Sequence, residues 1–314
     1  MGEACVASGF LRVPALLALM PLLAAAQVFF EDTPGRVSIS LAGQPFSNLY
    51  YGSEWASPFL HPLRSASGVV VTRGYPVELI AGENQDHKWH HGLWFSHGDI
   101  NGVDFWRDLG PEKTGRMVVK SRPKTSRNAL SLEAELVTPG KQVLGTTHQE
   151  FRFTRSGSDH LIDARVTVRA SRSAPLRMGD TEEGTFGLRL ADAFREERGV
   201  AMHNSAGDSG RKIWGKRAKW VDYSTTIQGR RLGVLVLDHP ANPKHPTYWH
   251  ARHYSLCAAN PFGEHDFEKD KTRDGGVTIP AGGTLAFRYR VIIHEGGLDS
   301  IDPEDLFKEF SRSK

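Results

Sequence analysis

Cysteine is nearly missing from this sequence of 314 residues, which contains only Cys5 and Cys257. Because Cys5 lies in an N-terminal segment that we expect to be removed, Cys257 has no partner for an intramolecular disulfide. The fold must therefore depend on its apolar core and not on cross-links. Between Leu256 and Ala258, Cys257 is expected to be a small buried apolar side chain rather than a nucleophile.

An excess of charge of one sign is missing too. The 39 Lys and Arg residues nearly balance the 36 Asp and Glu residues, giving a formal net charge of +3, and like charges form no block. This balance argues against nucleic acid and against a charged membrane surface as partners. After the N-terminus, no apolar stretch approaches the roughly 20 residues that a membrane span requires. We therefore expect no membrane span.

One short apolar run does occur, at the N-terminus. Arg12 precedes apolar residues 13–23, and three small residues, Ala24 to Ala26, follow. A basic residue, a short apolar run and a small-residue cleavage site are the parts of a secretory signal peptide. We predict a signal peptide over residues 1–26, a single domain over residues 27–314, and a secreted or periplasmic protein.

The sequence motifs of several large enzyme classes are missing as well. It contains no nucleophile elbow, P-loop, dinucleotide-binding glycine fingerprint or zinc-type cysteine pairing. Two kinds of chemistry remain for its 14 histidines. One is acid–base catalysis by His and Glu, and the other uses a divalent metal ion held by His and carboxylates.

What the sequence has in abundance is strand patterning. Apolar and polar residues alternate in four segments, residues 37–41, 130–136, 162–168 and 285–291. Period-two alternation predicts strands with one face in a core, and the continuous apolar run 232–237 predicts a strand buried on both faces. A helix is indicated only after Asp302, where Pro303 occupies the first turn. The pattern predicts an all-β fold, a β-sandwich of two large antiparallel sheets with a short C-terminal helix.

The densest group of reactive side chains lies between residues 87 and 106. It comprises His87, Trp89, His90, His91, Trp94, His97, Asp99, Asp104 and Trp106. Imidazoles transfer protons near neutral pH and bind metals, and indole rings provide flat surfaces on which sugars stack. On a regular strand His90 and His91 point to opposite faces, so only one of them shares a cavity with His97. Strand register decides which one does.

A second polar group, His239, Asn242, His245, Trp249, His250 and Arg252, lies far downstream. Prolines at every third position from Pro240 predict an extended, polyproline-like path that places the first three along one edge. If a strand begins at Tyr248, His250 and Arg252 share a face and Trp249 takes the other.

Two further segments carry candidate residues. In the segment from residue 180 to residue 189, Glu183 and Arg189 share a strand face. Glu183 fits a general acid or base, and Arg189 fits a group that binds a carboxylate or sugar hydroxyls, although the two could equally form a structural ion pair. Residues 214–223 interleave cations with aromatic rings, as a stacked sheet face or a sugar-binding wall would.

Several of these blocks together resemble a known bacterial family. The run His90-His91-Gly92-Leu93-Trp94 and residues 98–106, 214–218, 238–252 and 258–263 resemble exported proteins of unknown function, of the DUF6807 type. Automated naming calls them methane oxygenase PmoA-like, but a methane monooxygenase subunit crosses the membrane several times and this chain has no span. The resemblance implies a β-sandwich similar to galactose mutarotases and related carbohydrate-active proteins. In those folds a histidine pair and a carboxylate on a concave sheet face act on the sugar.

Our leading hypothesis is an exported enzyme that performs acid–base chemistry on a sugar or glycoside, as an epimerase, lyase or hydrolase, with a small-molecule or oligosaccharide substrate. The catalytic candidates are His90, His91, His97, Glu183, His239 and His250. The substrate-binding candidates are Trp94, Asp99, Asp104, Trp106, Arg189, Asn242, His245, Trp249 and Arg252. Arg189 and Arg252 would orient hydroxyls or a uronate, and replacing His97 or His250 with Ala is expected to abolish turnover without changing stability.

Two alternatives stay open at this point. In the first, histidines of both groups hold iron, copper or zinc together with Glu183 or Asp99. In the second, the protein binds carbohydrate through its aromatic residues without catalysis.

Overall fold

The computed structural model describes residues 1–2 and 28–313 of the chain. The predicted signal peptide over residues 1–26 lies almost wholly outside the described residues and stays a prediction, as does the single-domain boundary at residue 27. Within the described part, no helix is both long and apolar enough to cross a membrane.

Strands dominate the described residues. In chain order they are β1 (Val28–Thr33), β2 (Arg36–Leu41), β3 (Gln44–Tyr50), β4 (Phe59–Leu60), β5 (Leu93–His97), β6 (Arg116–Val119), β7 (Lys124–Ser126), β8 (Ala129–Val137), β9 (Val143–Ser156), β10 (Asp159–Ala170), β11 (Leu176–Met178), β12 (Gly184–Arg189), β13 (Ala201–Asn204), β14 (Trp220–Ile227), β15 (Arg230–Asp238), β16 (Tyr248–Arg252), β17 (Leu256–Asn260), β18 (Val277–Ile279) and β19 (Thr284–Glu295). The α-helices are α1 (Glu264–Phe267) and α2 (Pro303–Ser311).

The strands form two large antiparallel sheets. One has eight strands in the order β1-β2-β3-β4-β5-β12-β17-β16, and the other has nine, with β13-β14-β15-β19-β10-β9-β8-β6 in line and β7 paired to β8. A small sheet pairs β11 with β18. The predicted all-β class, with large antiparallel sheets and a short C-terminal helix, is confirmed.

The main apolar core lies between the two sheets. The rings of Phe186 and Tyr289, from opposite sheets, stack with their centroids 4.4 Å apart, and those of Phe95 and Phe287 lie 5.3 Å apart. Alternation along each strand sends one set of side chains into this layer. Cys257 is buried there, and burial raises the pKa of its thiol, so the residue behaves as the expected small apolar side chain.

The C-terminal helix explains why β15 is apolar on both faces. One face of β15 contributes to the main core, and on the other face Leu235 and Leu237 pack with Phe307 and Phe310 of α2. The helix begins as predicted, because the side chain of Asp302 accepts hydrogen bonds from the first-turn backbone N–H groups.

The predicted polyproline-like path between β15 and β16 is wrong. The segment folds into successive turns, with the N–H of Asn242 donating to the carbonyl of His239 and the N–H of His245 donating to that of Asn242. Buried Asp238 is the cause, because its carboxylate accepts from the Asn242 amide at 2.7 Å, from His245 Nδ1 at 2.7 Å and from the Thr247 N–H at 2.9 Å. Three donors converging on one buried charge outweigh the local preference of the prolines.

This arrangement predicts that Asp238 stabilises the fold. Asp238→Ala should lower the free energy of unfolding by about 3 kcal/mol, because it leaves buried donors without an acceptor. Denaturant unfolding followed by circular dichroism measures the change. Asp299→Ala, which removes an exposed carboxylate paired with Arg231, is the matched control and should change stability by less than about 0.5 kcal/mol. A loss below about 1 kcal/mol in Asp238→Ala would contradict this account.

Candidate active site

The face of the eight-stranded sheet that points away from the main core carries a second aromatic cluster. Trp94, Gly187, Ala258 and His250 are register partners in a row across β5, β12, β17 and β16. Register partners project from the same face, so Trp94 and His250 flank two small residues. A Cβ on Gly187 would lie 2.7 Å from Trp94 Cζ2 and 2.8 Å from Trp106 Cη2, so glycine lets both indole rings rest on the sheet.

We call this region the aromatic site. It comprises His87, His90, Trp94, Trp106, Arg107, Glu183, Arg189, His250, Arg252 and Tyr254. His90, Trp94, Trp106, Arg189 and His250 are buried and form its floor, whereas the other five are half-buried and form its rim.

His90 lies at the centre of the aromatic site. Its ring stacks on those of His87 at 4.9 Å and Trp94 at 5.4 Å, and meets the edge of Trp106 at 5.8 Å. The chain then turns at Gly92, whose positive φ and close approach to a neighbouring carbonyl require glycine. Because β5 begins only after this turn, His90 and His91 do not alternate as strand residues, and the geometry of the turn sets their directions.

Two buried guanidinium groups that share one carboxylate anchor the loop that carries His87 and His90. Asp86 accepts from Arg73 Nη1 at 2.5 Å and from Arg189 Nη2 at 2.6 Å, and both guanidinium groups are fully buried. Burial raises the pKa of Asp86, but His87 and the two guanidinium charges outweigh it and hold that pKa below its usual value. Asp86 therefore joins the loop to β12.

The hydrogen bonds of His90 and His250 define their tautomers. Arg189 Nη1 donates to His90 Nδ1 at 3.1 Å, so His90 carries its proton on Nε2. His250 Nδ1 lies 2.7 Å from the carbonyl oxygen of Glu182, which can only accept, so His250 carries its proton on Nδ1 and has a lone pair on Nε2. Both Nε2 atoms are buried and have no hydrogen-bond partner within the described residues. The site therefore presents one imidazole donor and one imidazole acceptor.

Both imidazoles are neutral at pH 7. Burial lowers the pKa of His90 well below 6.5, and the charge of Arg189 lowers it further. Burial also lowers the pKa of His250 to about 3, although the hydrogen bond to Glu182 opposes this shift. His250 shares a sheet face with Trp94, on which the His90 ring stacks, so both imidazoles belong to one face.

Glu183 supplies a carboxylate at the rim. Arg107 Nη2 donates to its Oε1 at 2.7 Å, and Asp104 holds the same guanidinium at 2.9 Å. Burial raises the pKa of Glu183, the charge of Arg107 opposes this rise, and Glu182 adds to it. A carboxyl group with a raised pKa can exchange protons nearer to neutral pH than an exposed one.

Aromatic rings and their N–H groups surround this constellation. The Arg252 guanidinium lies 5.2 Å from the Trp214 ring and 5.9 Å from the Tyr254 ring, and that of Arg189 lies 4.9 Å from Tyr254. Five indole N–H groups are buried without a partner among the described residues, those of Trp55, Trp89, Trp94, Trp106 and Trp214. Because buried donors are normally satisfied, their concentration here indicates a surface that hydrogen-bonds a ligand.

Residues 36–308 match a family described as a family of unknown function, DUF6807. The chain belongs to this family. No curated protein matches it.

Among solved structures, this DUF6807 chain is similar to a galactose mutarotase-like protein from Clostridium acetobutylicum, with a TM-score of 0.45 and 9% identity over 86% of this chain and 99% of that one. It is also similar to a galactose mutarotase-like protein from Lactobacillus casei, with a TM-score of 0.39 and 10% identity over 85% of this chain and 100% of that one.

The fold brings together seven of the residues that the sequence marked as candidates, His90, Trp94, Trp106, Glu183, Arg189, His250 and Arg252. Trp94, Arg189, His250 and Arg252 lie on β5, β12 and β16, and the other three lie in the connecting segments. Asp104 lies one contact away, through Arg107.

Other candidates in the first group are not part of the aromatic site. His91 borders it, because its ring stacks at 4.6 Å on Phe59, the register partner of Trp94. His97 is fully buried on the core face of β5, where its Nε2 donates to the carbonyl of Gly179 at 2.8 Å. Trp249 also faces the core, and its indole N–H donates to a loop carbonyl at 2.9 Å.

The remaining candidates have contacts that account for them structurally. Asp99 closes a turn by accepting a backbone N–H at 2.7 Å. Asn242 and His245 bind Asp238, and the rings of His239 and His245 pack against phenylalanines of α2. The structure does not bring these three residues to the aromatic site.

Three important residues were not singled out from the sequence. Tyr254 lies in the turn after β16, two residues beyond Arg252, where strand alternation no longer predicts the direction of a side chain. Arg107 and Asp86 carried no local signal either, because their partners Glu183 and Arg189 are more than 75 positions away in the chain.

The side chains that the structure describes do not fit a metal centre. Between residues 28 and 313, no group of three or more His, Cys, Asp or Glu side chains is arranged to hold a metal ion. In the aromatic site, the Arg189 hydrogen bond keeps the proton on His90 Nε2, which therefore lacks the lone pair that a metal ligand needs.

Proposed function

We propose that this protein is an exported enzyme that binds a saccharide at the aromatic site and catalyses a proton transfer on it. The observation that carries the proposal is the pair of neutral histidines with opposite tautomers. His90 presents an N–H and His250 presents a lone pair, and both belong to a site walled by tryptophan.

A sugar matches this arrangement chemically. Each hydroxyl both donates and accepts a hydrogen bond, and the C–H faces of a sugar ring pack on indole rings such as those of Trp94 and Trp106. His90 Nε2–H would donate to a sugar oxygen, and His250 Nε2 would accept a hydroxyl proton. The indole N–H groups offer further donors to the remaining hydroxyls.

Glu183 is the group that we assign to the proton transfer itself. Its raised pKa brings it nearer to the working pH, and the neutral imidazole donor of His90 in the same site would stabilise negative charge that develops on a substrate oxygen. Epimerisation, elimination and glycoside hydrolysis all require such a transfer. We therefore propose that the reaction is one of these three types.

A panel of monosaccharides and disaccharides tests the proposal. Proton NMR in D₂O follows anomer exchange, loss of C–H signals and new reducing ends in one experiment. We expect wild type to act on at least one sugar and folded His250→Ala to lose this activity. His97→Ala is the matched control, because His97 lies on the opposite face of the sheet. It should keep the activity per folded molecule but unfold at a lower temperature.

The two histidine variants separate this function from its alternatives. Equal loss of activity in His97→Ala and His250→Ala, with both proteins folded, would contradict the assignment. Sugar binding without any turnover, unchanged in His250→Ala, would instead identify a binding protein. Export is tested by the intact mass of protein recovered from the periplasm or medium, which should begin at Gln27.

A further inference from the structure

We propose that the saccharide bound at this site is acidic, and that Arg252 binds its carboxylate. This inference rests on the proposed function and adds the class of substrate to it. A uronic acid is a sugar whose carboxylate would meet the guanidinium while its ring reaches the two histidines.

Arg252 has the right position. It follows His250 by two residues on β16, so both side chains project from the face that carries Trp94. Arg252 and Arg189 are both register partners of Leu256, which places the two guanidinium groups on either side of one small apolar patch. A ligand bound to Arg252 would therefore lie on the face of the sheet that carries His250 and Trp94, on which the His90 ring stacks.

The charge of Arg252 has no hydrogen-bonded counter-ion. The nearest carboxylate oxygen, Glu182 Oε2, is 4.0 Å from its Nη2, and its buried Nε has no partner within residues 28–313. By contrast, Arg189 binds Asp86 at 2.6 Å and Arg107 binds Glu183 at 2.7 Å. Arg252 therefore lacks the close carboxylate partner that Arg189 and Arg107 each have, and its side chain remains 33% exposed.

The guanidinium is also held in place. Trp214 and Tyr254 both contribute rings within 6 Å of its central carbon, so cation–π contacts restrain it before any ligand arrives. A planar guanidinium matches a carboxylate through two parallel hydrogen bonds, which an ammonium group cannot reproduce. Restraint in the unbound state lowers the entropy cost of binding.

A variant of Glu182 provides a second test, in which uronate binding should become stronger instead of weaker. Its carboxylate stands 4.0 Å from Arg252 and would repel an incoming uronate, while its backbone carbonyl holds His250. Glu182→Gln removes the charge and leaves the carbonyl in place. Uronate binding should therefore become several-fold tighter in this variant.

Calorimetric titration at pH 7 measures the effect of both the Arg252 and the Glu182 variants. The ligands are D-glucuronate and D-galacturonate, each compared with its neutral aldose, D-glucose or D-galactose. Wild type should bind at least one uronate about tenfold or more tighter than its neutral partner. Arg252→Gln should remove this preference, and Arg252→Lys should keep part of it because the charge remains without the fork. Arg231→Gln, on the exposed Asp299 pair, is the charge-matched control and should change neither affinity.

The outcomes distinguish a failure of the carboxylate assignment from a failure of the proposed function. Equal affinity for acid and neutral sugars, or equal weakening of both by a folded Arg252→Gln or Arg252→Lys protein, would overturn the carboxylate assignment. If neutral sugars bind and this binding is lost in His250→Ala, the proposed function is supported even though the carboxylate assignment is wrong. If neither class binds, the proposed function fails as well. Circular dichroism of each variant shows whether it is folded.

Discussion

Turnover of the saccharide substrate is expected to fall about 10²–10⁴-fold in Glu183→Gln, because the amide keeps the shape of the side chain but cannot exchange a proton. The measurement is kcat/KM, with Glu183→Asp as the conservative variant that retains a fraction of the activity. Glu150→Gln, on the partly exposed pair with Arg152 of β9 in the other sheet, removes the same charge away from the site and should be neutral. If Glu183→Gln kept more than about a tenth of wild-type activity, the acid–base role would be lost.

The acid–base role of Glu183 also predicts the direction in which kcat/KM changes with pH. The pKa of Glu183 lies above its ordinary value of 4.5, so its basic form, and with it kcat/KM, should be lost as pH falls through a value above 4.5. Because the Arg107 charge lowers this pKa, Arg107→Gln should move the acidic limb to higher pH. His250, with a pKa of about 3, should contribute no limb near pH 6.5. A limb near pH 6.5 that disappears in His250→Ala would contradict this reading.

The second large effect is expected at His90. In His90→Ala the site loses the donor that would stabilise developing charge on a substrate oxygen, a loss of about 10²–10³-fold in kcat. His90→Gln can still offer an N–H in a similar direction and should recover part of the rate. KM should change less than kcat in both variants, because the interaction strengthens as charge develops.

Stability distinguishes a chemical role for His90 from a structural one. His90→Ala also leaves Arg189 Nη1 without its acceptor, so unfolding should become easier by about 1 kcal/mol. A matching His91→Ala variant removes a ring that stacks on Phe59 and should lower stability without lowering kcat. Equal losses of kcat in the two variants would show that the tautomer argument does not explain catalysis.

Much of the fold could be predicted because its signals are local. The alternation at residues 130–136 and 285–291 lies within the observed β8 and β19, and the Asp302–Pro303 start of α2 is confirmed. Local signals failed where a distant partner dominated. The prolines predicted an extended segment after β15. The segment instead forms turns, because Asn242, His245 and a backbone N–H all donate hydrogen bonds to the buried carboxylate of Asp238.

The candidate site was predictable as a list of residues but not as an arrangement. A concentration of histidine and tryptophan between residues 87 and 106 has no purpose in strand formation, and it marked His90, Trp94 and Trp106 correctly as neighbours. The same composition also marked His97, which faces the core. Composition shows how many reactive side chains a segment has, but the backbone decides where each one points. The turn at Gly92 sets the directions of His90 and His91, and alternation along β5 directs His97 into the core.

The sequence by itself determined the class of fold, the two-sided burial of β15, the C-terminal helix and the segments that hold reactive groups. Only the tertiary structure decided that Trp94, Gly187, Ala258 and His250 form one row, because register between strands that are distant in the chain depends on long-range packing. It also decided the protonation of the two histidines. Each ring took its tautomer from a partner far along the chain, Arg189 for His90 and the Glu182 carbonyl for His250, and no local pattern encodes those contacts.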